Sequence, residues 1–294
     1  MATTADTRTL LPAATTLGPV TLRVADGGRA LELYRNTIGL TVLEQAPDRI
    51  ALGGENGAPF LFLEISASAA PRPRAGYAGL FHVAILVPDR PALGGVLGRI
   101  AEAGIPLGAS DHAVSEALYI YDEDGNGLEI YRDRPRDQWT WNNGQVHMIT
   151  VPLDLRNLLA EGMAHDQVTK PVPAATRIGH VHLQVADLAE TKGFYSDILG
   201  FARTATLPQA LFMSAGGYHH HVGSNTWDSR NAPPAPAGMA GLVEFTVDLP
   251  DKADLAAAKG RLAAARIKVE ADGDGLRVRD PGNNEIRLRA AART

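Results

Sequence analysis

The amino-acid sequence predicts an α+β fold in which four βαβββ modules form two barrel-like domains. The first observation behind this prediction is an internal repeat, because the segment VTLRVAD at residues 20–26 matches VHLQVAD at residues 181–187 without a gap. The match continues through Tyr34 and Tyr195. In both copies a strand with alternating apolar residues precedes an amphipathic helix and a second strand. The repetition indicates duplicated supersecondary units.

A second, weaker repeat supplies the other two modules. The residues that match pairwise are Pro88-Asp89-Arg90 with Pro250-Asp251-Lys252, Leu93 with Leu255, Arg99 with Arg261, and Ile105 with Ile267. Further along, DEDGN at residues 122–126 and DPGNN at residues 280–284 predict hairpin turns. Gly39 and Gly200 stand where the helices of the first repeat should end in a residue with positive φ. The two repeats therefore alternate along the chain.

The predicted organisation, in chain order, is a flexible tail at 1–16, modules at 17–67 and 78–132, a connector at 133–176, and modules at 177–230 and 239–291. The connector contains the aromatic patch Trp139-Thr140-Trp141 and a short helix predicted at 153–161. A Pro-rich stretch at residues 231–238 predicts an extended linker between the last two modules.

Composition narrows the class of protein. The chain has 294 residues, of which 45% are apolar and 21% are charged, as in a soluble globular protein. The net charge of -5 is mild and the charges are interspersed, so neither nucleic acid nor membrane is expected as a partner. The N-terminus lacks the basic and apolar regions of an export signal, which predicts a cytoplasmic protein. With no cysteine, any metal must be held by His, Asp or Glu.

Three residues are candidate metal ligands. His82 and His180 occupy the same position in the predicted first strands of their modules, and Glu129 lies in a predicted last strand after the DEDGN turn. A single strand histidine or glutamate would more often be structural. Two imidazoles and one carboxylate on one side of a sheet, however, match the facial triad that leaves open positions on non-haem iron. We expect Fe(II) at this site, with Mn(II) or another divalent metal as the alternative.

The four-module pattern resembles the vicinal oxygen chelate superfamily, which includes glyoxalases, bleomycin-resistance and fosfomycin-resistance proteins and extradiol dioxygenases. Three segments are similar to bacterial catechol 2,3-dioxygenases, namely GASDHAVSEALY at 108–119, DGNGLEIYRDR at 124–134 and YHHHVGSNTW at 218–227. The resemblance covers nearly the whole chain beyond the tail. It implies extradiol cleavage of catechol or a substituted catechol, with O2 as the second substrate.

The resemblance also implies roles for individual residues. The metal ligands of the family fall on His82, Glu129 and His180. Tyr119 has the ten-residue spacing to the ligand glutamate that the family shows, and His112 is the candidate for the histidine shortly before that tyrosine. His220, in a predicted last strand, matches the acid–base histidine within a His-x-apolar-Ala/Gly pattern. Tyr119 and His112 would hydrogen-bond the ionised substrate while His220 moves protons.

The chain departs from that family in where the ligands lie. Familiar extradiol enzymes take them from the third and fourth modules, whereas here they lie in the second and third. Modules one and four lack this set of residues at the equivalent positions. Module one has Pro19 in place of His180, and module four has Glu244 in place of His82, Arg287 in place of Glu129 and Arg277 in place of Tyr119. The distribution predicts that module two faces module three across one cleft, with modules one and four as a supporting pair.

Two other functions remain open at this point. A glyoxalase-like lyase or isomerase would need a fourth ligand near His220, and a non-catalytic small-molecule-binding resistance protein would need no metal. His182 shares a strand face with His180, so it would either orient a ligand or pack. His219 and His221 are expected to be structural or hydrogen-bonded to the linker. The sequence is compatible with a homo-oligomer.

Overall fold

A computed structural model describes residues 10–291. Its first half contains β1 (Thr16–Val24), α1 (Gly27–Leu31), β2 (Thr41–Ala46), β3 (Arg49–Gly53), β4 (Pro59–Ile65), β5 (Gly79–Leu86), α2 (Arg90–Glu102), β6 (Gly108–Asp111), β7 (Ser115–Tyr121) and β8 (Gly127–Asp133). The connector contains a 3₁₀ turn (Arg136–Gln138), β9 (Trp141–Asn142), β10 (Gln145–Val146) and α3 (Leu155–Ala164).

The second half repeats the pattern. It contains β11 (Arg177–Gln184), α4 (Leu188–Lys192), β12 (Ala202–Leu207), β13 (Ala210–Ser214), β14 (Val222–Asn225), β15 (Gly241–Leu249), α5 (Lys252–Ala264), β16 (Val269–Asp272), β17 (Gly275–Arg279) and β18 (Glu285–Ala290). α1 and α4 each continue into a wider π-helical segment, Glu32–Thr37 and Gly193–Leu199. The predicted α+β fold of repeated modules is confirmed.

Two eight-stranded sheets are built from these strands. Sheet I has the order β16-β17-β18-β15-β1-β4-β3-β2, and sheet II has the order β12-β13-β14-β11-β5-β8-β7-β6. Each sheet therefore joins two modules at a central antiparallel seam, β1 with β15 in sheet I and β5 with β11 in sheet II. Module two pairs with module three, as the distribution of candidate ligands predicts, and module one pairs with module four.

The residues that define the first repeat connect consecutive modules. The Tyr34 hydroxyl donates to Asp122 Oδ2 at 2.9 Å, and the Tyr195 hydroxyl donates to Asp280 Oδ2 at 2.8 Å. Both tyrosines are fully buried, and both acceptors lie in the turns that precede β8 and β18. A buried hydroxyl without a partner is costly, so each tyrosine fixes the turn of the module that follows it in the chain.

The ends of the repeated helices follow the sequence prediction. Gly39 and Gly200 have φ values of 90° and 99°, the left-handed conformation in which a Cβ is unfavourable. Arg99 on α2 then binds the turn before Gly39, because its guanidinium donates to the carbonyl oxygens of Thr37 and Ile38 at 3.0 and 2.7 Å. Its repeat partner Arg261 does the same for the turn before Gly200.

The tail and the connector are more closely packed than the sequence suggests. Positions 1–9 of the predicted tail lie outside the described residues, but Leu11 is buried and its N–H donates to the Gly200 carbonyl at 2.7 Å. The predicted connector helix is α3, which packs on α2 so closely that a Cβ on Gly94 would lie 2.3 Å from the Leu158 carbonyl oxygen. Within residues 10–291 no helix combines the length and apolar character needed to cross a bilayer.

Candidate metal centre

The three candidate ligands lie on adjacent strands of sheet II. His180 is on β11, His82 on β5 and Glu129 on β8. Ala84 pairs in register with both His180 and Glu129, and His82 shares the face of Ala84 because it lies two residues earlier in the strand. The small methyl group of Ala84 thus leaves room for the three longer side chains to converge above it.

Two bulges in the β5–β11 seam flank the segment that carries the two histidines. Ile178 pairs with Ile85 but His180 pairs with Ala84, so Gly179 is an extra residue on β11. A second shift lies between the His182–His82 pair and the Leu183–Leu80 pair, which makes Phe81 the extra residue on β5. Without the extra residue Gly179, a ladder that pairs Ile178 with Ile85 would pair His180 with Val83 and not with Ala84.

The ligand atoms are close and shielded from solvent. Glu129 Oε2 lies 2.8 Å from His82 Nε2 and 3.0 Å from His180 Nε2. One ligand atom from each residue lies within 4.8 Å of the others, and all three residues are buried. His82 Nε2 is buried and lacks a partner with hydrogen-bond geometry, despite its short distance to the carboxylate. Such an orphaned atom fits a site in which both groups point at a common ion.

The protonation states also suit a metal. Burial lowers the pKa of His180 to about 4, so its imidazole is neutral near pH 7. Burial raises the pKa of the Glu129 carboxyl, but the flanking His180 and His82 imidazoles outweigh this and lower it well below its usual range. A divalent cation needs neutral imidazole nitrogens and an ionised carboxylate as ligands. His180 and Glu129 are therefore already in the forms that bind a divalent cation.

A cavity of about 360 Å³ opens over this cluster, a size at the lower end of the about 300–1,000 Å³ usual for small-molecule sites. Apolar side chains from distant parts of the chain form much of its wall: Phe81, Leu128, Met148, Leu207, Phe212 and Trp227. Among the described residues that line it, Glu129 is the only acid and there is no lysine or arginine. The site is thus shaped for a small, uncharged and largely apolar molecule.

The structure brings Tyr119 and His112 together at this cavity. Tyr119 is the cross-strand partner of Glu129, which explains their ten-residue spacing in the β7–β8 hairpin. Its hydroxyl lies 2.8 Å from His112 Nε2, and His112 Nδ1 lies 2.6 Å from the Ile149 carbonyl oxygen. Since a carbonyl can only accept, Nδ1 carries a proton; when that is the only proton on the ring, Nε2 accepts from the Tyr119 hydroxyl. Burial, together with Glu129, raises the pKa of Tyr119 well above its usual value.

His220 lines the cavity but does not lie in a strand, so that part of the sequence prediction is wrong. β14 begins at Val222, and residues 218–221 are irregular. Side-chain donors take the carbonyl groups there, Thr204 Oγ1 to His219 at 2.6 Å and Ser214 Oγ to Tyr218 at 2.6 Å. These two bonds take the place of ladder bonds at residues 218 and 219, whereas the His221 N–H still donates to the Met213 carbonyl oxygen at 2.8 Å. Burial, reinforced by neighbouring His180, lowers the pKa of His220 well below its usual value.

The remaining histidines divide into two groups. His182 is the cross-strand partner of His82 and lines the cavity, where its Nε2 accepts from Asn225 Nδ2 at 3.0 Å. His221 Nδ1 accepts from the Ala215 N–H at 3.2 Å, which is a structural contact. His219 Nε2 lies 2.9 Å from Asp133 Oδ1, at the first residue of the predicted connector. His147 and His165 are exposed and lie outside the cavity.

The connector contributes a wall that sequence reasoning missed. Residues 148–150 line the cavity, and the connector pairs with the edge strand β6 through a bridge between Asp111 and Val151. The only sequence signal was the aromatic and apolar character of the segment, which is equally typical of a core edge. On the other side of the cavity Trp227, 48% exposed, follows β14.

Sheet I carries an ion-pair network at the corresponding positions. Arg287 takes the place of Glu129, as the repeat predicts, because it pairs with Thr246 just as Glu129 pairs with Ala84. Arg277 takes the place of Tyr119, because it pairs with Arg287 just as Tyr119 pairs with Glu129. Both arginines contact Asp272, at 2.6 and 3.4 Å respectively, and Arg277 lies 3.8 Å from Glu244. These side chains bind one another, so sheet I supports the fold without repeating the metal cluster.

Comparison with known proteins identifies the family. The model of the Glyoxalase/Bleomycin resistance protein/Dioxygenase superfamily matches residues 16–130 and 177–288. A protein of Bacillus subtilis (strain 168) described as a catechol-2,3-dioxygenase is 43% identical over 270 residues, which span 91% of this chain and 94% of that protein. The chain belongs to this superfamily. The resemblance that the sequence motifs indicate is therefore confirmed at the level of the superfamily.

Solved structures show the superfamily fold. A proposed dioxygenase from Bacillus subtilis subsp. subtilis strain 168 gives a TM-score of 0.63 at 16% identity, covering 94% of this chain and 84% of that chain. Glyoxalase I from Zea mays gives a TM-score of 0.55 at 14% identity, covering 94% and 92%. The shared fold spans both sheets and is used by superfamily members with different activities, so the reaction has to be argued from the site.

The bulge at Gly179 generates a prediction. A Cβ at this position would lie 1.7 Å from the hydroxyl of Tyr131, a fully buried ring, whereas a Cβ on Gly18 in the matching seam of sheet I would meet the partly exposed Asp248 carboxylate at 2.6 Å. We expect Gly179→Ala to lower the free energy of unfolding by about 2–3 kcal/mol and Gly18→Ala by about 1 kcal/mol or less. Equal losses in urea denaturation would contradict the tight fit at Gly179.

Proposed function

We propose that His82, Glu129 and His180 hold one divalent metal and that the protein is an extradiol dioxygenase acting on catechol or a substituted catechol with O2. The observation that carries the proposal is the placing of a three-ligand cluster at the floor of a small apolar cavity whose wall includes His220. The ligand set suits Fe(II), with Mn(II) as the alternative. The relative that is described as a catechol-2,3-dioxygenase supports the same reaction.

His82, Glu129 and His180 would hold the metal, which when bound would supply a centre at which catechol and O2 meet in a fixed orientation. Both atoms of O2 enter the ring-opened product, and no external reductant is needed. The apolar wall then keeps water from the reacting ring. Phe212 and Trp227 give that wall flat surfaces against which an aromatic ring can pack.

Tyr119, His112 and His220 would handle the protons. Tyr119 donates to His112, which leaves the tyrosine oxygen free to accept from a substrate hydroxyl. His220 lies on another side of the cavity, and its low pKa keeps the ring neutral and able to accept a proton from the second hydroxyl. One catechol proton would pass to His220, and the second would pass to the Tyr119 oxygen as Tyr119 gives its own proton to His112 Nε2, so that both substrate protons have an acceptor.

Two features favour this reaction over the alternatives. A glyoxalase-like lyase needs a fourth protein ligand, and the cluster of ligand atoms found in residues 10–291 has three members and does not include His220. A binding protein that works without metal would have no need to bury two imidazoles around a carboxylate, an arrangement that costs free energy of desolvation. Both alternatives are distinguished by the assays below.

The metal assignment makes a direct prediction. His82→Ala and His180→Ala should each abolish stoichiometric binding of Fe(II), because two remaining ligands cannot hold the ion against water. Glu244→Ala, which removes the residue at the equivalent position in sheet I, is the matched control and should leave metal content unchanged. The measurement is elemental analysis after anaerobic reconstitution with Fe(II). Partial, independent occupancy in the two single variants would contradict a shared ion.

The reaction is tested with the reconstituted wild-type protein and catechol. We expect uptake of one O2 for each molecule of yellow ring-opened product, recorded with an oxygen electrode and by absorbance. His220→Gln should keep its metal while turnover falls roughly 100-fold or more, the range for loss of a general acid–base group. Isomerisation of an α-keto hemithioacetal without O2 uptake would instead identify a lyase. Retention of a ligand by the metal-free protein, with no turnover, would identify a binding protein.

The charge of the cavity predicts substrate preference. A carboxylate on the substrate ring would lie in a cavity whose wall has no lysine or arginine to pair with it, and it would lie near Glu129. We therefore expect 3,4-dihydroxybenzoate to react with a kcat/KM at least roughly 100-fold below that of 4-methylcatechol. Leu207→Arg, at a half-exposed position in the wall, should narrow that ratio by supplying a cation. Similar kcat/KM values for the two substrates of the wild-type protein would contradict this preference.

A further inference from the structure

A chain of hydrogen bonds runs from His220 away from the cavity. His220 Nδ1 lies 2.7 Å from His219 Nδ1, and His219 Nε2 lies 2.9 Å from Asp133 Oδ1. His219 is completely buried, whereas the Asp133 side chain is 24% exposed. The chain therefore starts at the wall of the cavity and ends at a carboxylate in contact with solvent.

The donors and acceptors in this series of hydrogen bonds determine which ring nitrogens of His219 and His220 carry protons. An ionised carboxylate can only accept, so His219 Nε2 carries a proton. In a neutral His219 ring the Nδ1 atom then has a lone pair, and the proton in the 2.7 Å contact must come from His220 Nδ1. A neutral His220 has no second proton, so its Nε2 is left with a lone pair. The His220 ring bonds to His219 through Nδ1 and lines the cavity.

A pair of tyrosines holds the carboxylate end in place. The Tyr218 hydroxyl donates to Asp133 Oδ1 at 3.2 Å, and the Tyr131 hydroxyl lies 2.6 Å from that of Tyr218. Since the Tyr218 proton is used on Asp133, Tyr131 donates to Tyr218. Both tyrosines are buried, and the Tyr218 ring lies 4.1 Å from the His219 ring, centroid to centroid. Asp133 is thus oriented by two donors on the same oxygen.

We propose that Asp133 and His219 are positioning residues that set the tautomer of His220, leaving its Nε2 unprotonated and aimed into the cavity as a proton acceptor. A histidine free in the cavity wall would exchange between two tautomers and two ring orientations, and only part of that population could accept a proton from a substrate. The hydrogen bonds from Asp133 through His219 select one tautomer and one ring orientation of His220 before substrate binds. The inference rests on the proposed function for its kinetic consequence, but the tautomer itself does not depend on any reaction.

The tautomer is tested on the metal-free wild-type protein labelled with ¹⁵N-histidine. Long-range ¹H–¹⁵N correlation spectra distinguish a protonated ring nitrogen from a bare one. We expect His220 to be protonated at Nδ1 and His219 at Nε2. A proton on Nε2 of His220, as would follow from a doubly protonated His219, would overturn the proposal whether or not the protein cleaves catechol.

The kinetic test uses two variants of His219. His219→Phe keeps the ring shape and removes both hydrogen bonds, and kcat should fall roughly 10- to 100-fold, less than for loss of His220 itself. His219→Asn keeps an oxygen at the place of Nδ1 and should recover part of that loss. KM should change by less than about two-fold in both, because the substrate contacts are intact. Asp133→Asn, at the partly exposed end, removes the carboxylate charge with less risk to folding and should lower kcat in the same way.

The control is Tyr195→Phe, which removes a buried tyrosine–aspartate hydrogen bond between modules three and four, at a residue that does not line the cavity. It should reduce stability while kcat stays at the wild-type value. Unchanged kcat in all three variants at Asp133 and His219, with active wild-type protein, would exclude the positioning role. An inactive wild-type protein that shows the expected tautomers would overturn the proposed reaction and leave the tautomer assignment supported.

Discussion

The antiparallel seam between β5 and β11 is the constraint on which the rest of the site depends. Within residues 10–291 it is the one strand ladder that joins module two to module three in sheet II, and the two histidines of the cluster lie on opposite sides of it. Side-chain direction alternates along a strand, so a slip of one residue would turn His180 to the far face. The extra residue at Gly179 sets the register, and the close fit of the Tyr131 hydroxyl beside it leaves no space for a side chain.

The free-energy cost of burying so many polar side chains in sheet II is offset by contacts among them. Glu129 is placed against two imidazoles, Tyr119 donates to His112, and His219 donates to Asp133. These contacts reduce the number of unpaired buried polar atoms, each of which costs about 1–3 kcal/mol, although within residues 10–291 His180 Nδ1 keeps no partner. Sheet I solves the same problem with arginine–carboxylate pairs, which stabilise the charges without creating a binding site.

The two sheets carry different polar side chains at equivalent positions. Sheet II has two imidazoles and a carboxylate at positions where sheet I has arginine–carboxylate pairs. The tyrosine–aspartate bonds at Tyr34 and Tyr195 link each module to the next one in the chain, and thus link the sheets. The bond from Tyr34 therefore connects sheet I to the turn before β8, and β8 is the strand that carries Glu129.

The sequence by itself determined the repeats, the four modules and the candidate ligands, because these follow from local patterns and from residue types with few alternatives. Even the Tyr119–Glu129 spacing is local, since a hairpin fixes which residues lie opposite each other. It also indicated the pairing of modules, since a split cluster would bind nothing. Only the tertiary structure decided that His219–His221 leave the strand, that Gly179 and Phe81 form bulges, and that residues 148–150 close the cavity. Those features arise from contacts between residues far apart in the chain, such as Thr204 with His219 and Ile149 with His112, and no local propensity encodes them.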